Sequence, residues 1–335
     1  MTTFKREDNY NDDLLKIAND LLEAGILIVP NKDCLKGYYN GLVLINRLTE
    51  RSFNLIGNEK AINNYIDKDE IKKNDKLKNL LSNYKSIRKN KDFDFEKKIT
   101  SFKKNIEEWF EILNYGMPRD QERKTSQIIA LNNMTFEDDK YSVCGWETTI
   151  GKNDSGADVK PEIDLVVVNP SKKEMILVEY KCQKKSMLGQ KQNIFAHWKD
   201  YMQICESKNM PEIKNRLLRA FNVYRRMKKL EPIPEEVFEE FQVKVGFLFV
   251  DRTYDNNGKL VSFITDKDYD EGMRLFKSRL LPPTKKMQLK NIRQPFKVKF
   301  SMFDLKKTLY IRAKTADNLI LDNWKKVEDG FFRNI

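Results

Sequence analysis

Asp164, Glu179 and Lys181 stand inside the run PEIDLVVVNPSKKEMILVEYKC, residues 161–182, which otherwise reads as two apolar strands around a polar turn. Side chains alternate along a strand, so Glu179 and Lys181, two residues apart, share one face. Taking NPSKKE, residues 169–174, as the turn sets Val168 against Met175, Val166 against Leu177 and Asp164 against Glu179. Opposed residues of an antiparallel pair have Cβ atoms about 5 Å apart, and two carboxylates so placed repel each other unless a cation lies between them. A hard divalent ion such as Mg²⁺ binds through one or two carboxylates, waters and phosphate oxygens. With Lys181 beside them, these are the parts of metal-assisted phosphodiester hydrolysis: the ion activates a water, and an ammonium orients that water and offsets developing charge. The stretches LVVV and MILV read as strands covered on both faces. Charges at their ends are then partly buried, where a charge needs a partner or a task.

The order Asp164, hairpin, Glu179-Tyr180-Lys181 resembles the signature of the PD-(D/E)xK nuclease superfamily, and the likeness extends over about residues 115–305. The resemblance implies that Asp164 and Glu179 hold the catalytic metal, Mg²⁺ with Mn²⁺ able to substitute, and that Lys181 serves the nucleophilic water. The chain departs from the pattern in one place. Proline precedes Glu162 in PEID, which makes Glu162 a second candidate metal ligand. Related enzymes often add a carboxylate from the helix before the first strand, and Glu122 in RDQERKTSQIIALNN is the candidate there. An acid is also favoured in a first helical turn by the helix dipole alone. Gln127 lies close to the apolar stripe of the same helix, and Gln183, Gln190 and Gln192 follow the lysine, where related enzymes place polar residues near the scissile phosphate. The single histidine, His197, stands beside Trp198 in an amphipathic helix and reads as packing or capping before catalysis. The resemblance further implies an endonuclease acting on double-stranded DNA in restriction or anti-phage defence, working as a homodimer or with a defence-system partner. The alternatives are an RNA-cleaving nuclease and a catalytically silent nucleic-acid-binding protein of the same fold.

The elements that must position these residues follow from periodicity. NDDLLKIANDLLEAG, residues 11–25, has helical spacing with acids in its first turn and ends at glycine; the apolar run ILIVP follows. Residues 58–114 are rich in Lys and Asn and are patterned as helices with solvated faces. The Gly and Pro of YGMPRD, residues 115–120, suggest a boundary. After it come a helix, a strand in YSVCGWETTI, the hairpin, two helices, the apolar strand FQVKVGFLFVD, a further helix and the alternating strand FKVKFSMFDL, residues 296–305. The expected fold is therefore α/β, a central mixed sheet flanked by helices at residues 116–335 with basic helical insertions, and the resemblance implies that this sheet is a restriction-endonuclease-like core. Residues 1–115 are expected to form a mainly helical N-terminal region for recognition or oligomerisation.

The chain of 335 residues carries 62 Lys and Arg against 50 Asp and Glu, a formal charge of +12, which suits a polyanionic partner. Two runs concentrate the excess. Residues 213–230 hold seven Lys or Arg and no acid, with Arg225 and Arg226 beside Phe221 and Tyr224; residues 274–299 hold nine and no acid, including Lys285, Lys286, Lys290 and Arg293. These six basic residues are the candidates for neutralising backbone phosphates. Four scattered cysteines form no CxxC pair, so neither a zinc site nor a disulfide framework is expected. No apolar stretch reaches eighteen residues and no secretory h-region opens the chain, so the expectation is a cytoplasmic protein without a membrane span.

Overall fold

Asn11 starts the first helix, α1 (Asp12–Glu23), by accepting the Leu14 amide on its side chain at 2.8 Å, with Asp12 and Asp13 in the first turn. Its buried residues Leu14, Leu15, Ala18, Leu21 and Leu22 repeat at helical spacing, and Gly25 at φ 91° turns the chain out of the helix. The computed structural model describes residues 10–31, 34–55, 95–115, 121–149, 162–183, 194–254, 260–262, 264–280, 307–317 and 319–327, with residues 73, 75, 78, 79, 82 and 188. The chain divides into two compact units, one of residues 1–131 with 219–232 and the other of residues 132–218 with 233–335.

In the first unit an antiparallel sheet of four strands follows α1, in the order β1 (Leu27–Asn31), β2 (Cys34–Tyr39), β3 (Leu42–Thr49) and β4 (Ser52–Leu55). The N-terminal region, expected to be mainly helical, thus also holds a sheet that the sequence reading did not name. The physical reason is the pair Asn40-Gly41 between two alternating runs: both residues take positive φ, 52° and 78°, the backbone that joins strands through a two-residue hairpin. Helices α2 (Phe95–Lys104), α3 (Ile106–Tyr115) and α4 (Gln121–Asn132) follow. The division also differs from a boundary at residues 115 and 116, because α4 belongs with this sheet. Its buried Gln127 accepts the Gly41 amide at 2.5 Å and donates to the Tyr38 carbonyl at 2.9 Å, closing over the β2–β3 turn.

The second unit is built on a mixed sheet of six strands. β5 (Ser142–Thr149), β6 (Glu162–Asn169) and β7 (Glu174–Lys181) form an antiparallel meander. The β6–β7 register pairs Val168 with Met175 and Val166 with Leu177, as the turn at residues 169–174 requires. Asn169 shapes that turn by accepting the Lys172 amide at 2.9 Å, and Lys173 takes φ 50°. β8 (Gln242–Val250) lies parallel to β7, after α5 (Ile194–Cys205) and α6 (Met210–Met227). A small hairpin, β9 (Arg252–Tyr254) and β10 (Leu260–Ser262), and α7 (Asp266–Leu280) follow. β11 (Thr308–Ala313) then pairs parallel with β8, and β12 (Lys325–Lys326) closes the order β12-β11-β8-β7-β6-β5. Helical crossovers are what parallel neighbours demand. The strand expected at residues 296–305 lies outside the described residues, and the strand beside β8 is β11.

Met175 to Lys181 are all buried, as befits a central strand covered on both faces. Glu179 and Lys181 register with Phe247 and Phe249 of β8, so the four share one face. Phe247 packs edge-on against Phe276 of α7 at 5.8 Å, and Phe276 against Trp198 of α5 at 5.8 Å. The Trp198 indole donates to the Thr308 hydroxyl at 2.9 Å. Helix α5 is thereby fixed over the face that carries the charges.

Candidate active site

The three strand charges point into the layer between sheet and helix. Asp164 lies one step beyond the last ladder pair, Leu165 with Val178, at the end of the sheet where β7 finishes. Its Oδ2 accepts the Tyr180 amide at 2.7 Å, so the aspartate continues the β6–β7 pairing with its side chain. Glu179 is 2% exposed and Lys181 5%. The Lys181 ammonium and the Glu179 carboxylate form an ion pair through Oε1.

Helix α5 supplies two more groups. His197 Nδ1 reaches the same Glu179 Oε1 at 2.9 Å. Tyr201, one turn on, is buried; its hydroxyl accepts the Asp164 amide and faces the Glu162 carbonyl oxygen, each at 3.4 Å, and lies within hydrogen-bonding reach of the Glu179 carboxylate. Burial alone would raise the Glu179 carboxyl, but the charges and hydrogen bonds of Lys181 and His197 outweigh it and hold the group well below the usual carboxylate range. The Tyr201 phenol is pushed well up, first by burial and then by the Glu179 and Asp164 charges. Asp200 is also raised, mainly by burial, with Glu179 adding to the rise against His197 and Lys199.

Asp164, Glu179 and Lys181 are thus gathered at one end of the meander. Glu162 stands two residues before Asp164, exposed, and meets the cluster through its carbonyl oxygen. Glu122, in the first turn of α4, belongs to the other compact unit. Gln183 follows the strand half-buried, and Gln190 and Gln192 lie outside the described residues. His197 and Tyr201 are what the sequence reading missed. A signal was present: they stand four apart in IFAHWKDY, on the stripe shared with Ile194 and Trp198, in the helix that follows the lysine strand.

Two of the basic candidates have structural partners. Arg225 is buried, and its Nε donates to the Glu231 carbonyl at 2.5 Å; Arg226 donates to the Tyr10 carbonyl at 3.0 Å and approaches Asp12 at 3.5 Å. Both side chains are engaged by their surroundings in the first unit, and Arg225, named as a phosphate-binding candidate, is buried there. A guanidinium sealed under its own loop presents little charge to solvent. Lys285, Lys286, Lys290 and Arg293 lie outside the described residues.

The donor set suits a hard cation. Asp164 and Glu179 offer carboxylate oxygens, with no thiolate among the site groups, which fits Mg²⁺ or Mn²⁺. Among the described residues no group of three or more His, Cys, Asp or Glu side chains is gathered as a metal cluster, and Mg²⁺ bound through two carboxylates, waters and substrate oxygens does not require one. No helix of the described residues is long and apolar enough to cross a membrane. No protein-family model, curated protein or solved structure matches the chain.

Proposed function

We propose that this protein is a Mg²⁺-dependent nuclease that hydrolyses phosphodiester bonds, with double-stranded DNA as its substrate and a restriction-endonuclease-like core around β5–β8. The observation that carries the reading is the position of Glu179 and Lys181: two charges on the central strand, 2% and 5% exposed, on the face shared with Asp164 across the hairpin. Burying such charges costs several kcal/mol per ion when unpaired, and apolar residues would serve packing better, so a chemical task accounts for what packing does not. The meander, the helical crossover and the parallel strand β8 agree with the element order that the PD-(D/E)xK resemblance implies.

Asp164 and Glu179 would hold the ion, which when bound lowers the pKa of a water and offsets charge on the phosphate. The chain's own groups do the rest. Lys181 orients the attacking water and faces charge that develops on the phosphoryl oxygens. Its compact ammonium is placed by Glu179. Helix α5 covers the pair and excludes bulk water, which strengthens both interactions. A setting in restriction or anti-phage defence, with a homodimer or a partner protein completing the cut, follows from the resemblance alone.

The test is cleavage of labelled duplex DNA, single-stranded DNA and RNA by the pure protein with Mg²⁺ or Mn²⁺. The expected result is cutting of duplex DNA by the wild type, and binding without cutting by Asp164→Ala and Lys181→Ala. Cleavage of RNA alone would move the substrate to RNA. Binding without cleavage by the wild type would replace the enzyme with a silent nucleic-acid-binding protein, a reading that the mutual neutralisation of Glu179 and Lys181 also accommodates.

A further inference from the structure

Helix α5 does more than cover the hairpin: it delivers an imidazole nitrogen to the one carboxylate oxygen that the lysine already holds. His197 Nδ1 stands 2.9 Å from Glu179 Oε1, and Lys181 pairs with that same atom. His197 is half-buried, its side chain 30% exposed, while Glu179 and Lys181 beneath it are sealed. The helix is pinned on one side by the Trp198 bond to Thr308, and Tyr201 meets the Asp164 amide on the other. The helix that carries the imidazole is therefore held over the sheet by bonds other than the one to Glu179.

We infer that His197 is a positioning residue of this site: by donating to Glu179 Oε1 beside the Lys181 ammonium, it fixes the carboxylate so that Oε2 is the oxygen available to a divalent cation shared with Asp164. A carboxylate oxygen accepting from two donors has both its in-plane lone pairs engaged, which leaves ligation to the other oxygen. Hydrogen bonds of this kind to ligating carboxylates set ligand orientation, and their loss costs 10–100-fold in metal affinity. The inference rests on the metal-dependent reading above and adds a residue to it.

Mn²⁺ binding to the full-length protein, followed by electron paramagnetic resonance and calorimetry, tests it independently of cleavage. Asp164→Ala is the control for the site, and thermal melting reports whether each variant folds. His197→Ala should bind Mn²⁺ roughly tenfold or more weakly, and His197→Gln, whose amide N–H can donate to the same oxygen, should recover to within about threefold of wild type. Folded Ala and Gln variants that both bind as wild type does, or that are weakened equally, would overturn the inference and leave the nuclease reading standing. A wild type that binds Mn²⁺ in a His197-dependent way yet cuts no nucleic acid would sustain the inference and overturn the nuclease reading. A wild type that binds no Mn²⁺ would overturn both.

Discussion

Lys181→Met separates the charge of the lysine from its bulk. Methionine keeps most of the apolar stem and removes the ammonium, leaving Glu179 at 2% exposure with His197 and Tyr201 as its remaining partners. Removing one member of a buried ion pair costs about 3–5 kcal/mol, because the survivor is a buried charge without compensation. At roughly 2–4 °C per kcal/mol for a domain of this size, the melting temperature should fall by about 10 °C. The dependence on pH makes the prediction sharper. In the wild type the Glu179 carboxyl lies below its ordinary 4.5, so it contributes stability above that value, and the contribution is lost as pH falls through the folded-state value. In the variant the lowering by Lys181 is gone and burial is opposed by His197 alone, so the carboxyl rises from its wild-type position. The variant then loses less stability than the wild type on acidification as Glu179 takes up a proton. Urea denaturation followed by tryptophan fluorescence should show a deficit that is largest near pH 7 and shrinks toward pH 4. The apolar double variant Glu179→Leu, Lys181→Met should recover most of the loss. A deficit below about 1 kcal/mol at pH 7, or one that does not change with pH, would refute the account of Glu179 as a buried, charged partner of Lys181.

Gln127→Ala removes both bonds that the amide makes to the β2–β3 turn and leaves a buried amide and carbonyl to find new partners, so the first unit should lose about 2 kcal/mol, seen as faster hydrogen exchange at Gly41 with little change around β7. Arg225→Ala should destabilise by about 1.5–3 kcal/mol through the lost bond to Glu231 while leaving the salt dependence of nucleic-acid binding unchanged. A shallower salt slope with unchanged stability would return Arg225 to the phosphate-binding surface.

The β6–β7 hairpin was legible because three independent signals agree there: two valine-rich runs, a polar turn of fixed length, and charges at matching ends. Register follows from turn length, so facing residues could be named before the sheet was seen. The N-terminal sheet was not read, although Asn40-Gly41 announces it, because the surrounding Lys- and Asn-rich segments weigh the composition toward helix. β11 was missed for another reason. TLYIRA is six residues long and draws its strand character from parallel pairing with β8, a partner some sixty positions earlier. His197 and Tyr201 show the limit for the site: each has the type and spacing of a core residue on α5, and only the placement of that helix over Glu179 tells a packing histidine from one that bonds a buried carboxylate.

The first compact unit is interrupted in sequence, since residues 219–232 return to it after residues 132–218 have built part of the other. Tyr224, in the returning segment, donates to the Ile28 carbonyl in β1 at 2.7 Å. On a ribosome the N-terminal sheet therefore emerges long before the helix that completes it. At about 5–20 residues per second, the intervening stretch takes on the order of ten seconds to make. Through that interval the Ile28 carbonyl must be satisfied by water or by a chaperone, and the β5–β6–β7 meander can pair before the first unit is closed. Order of synthesis thus favours the hairpin that bears Asp164 and Glu179 as an early element of the fold.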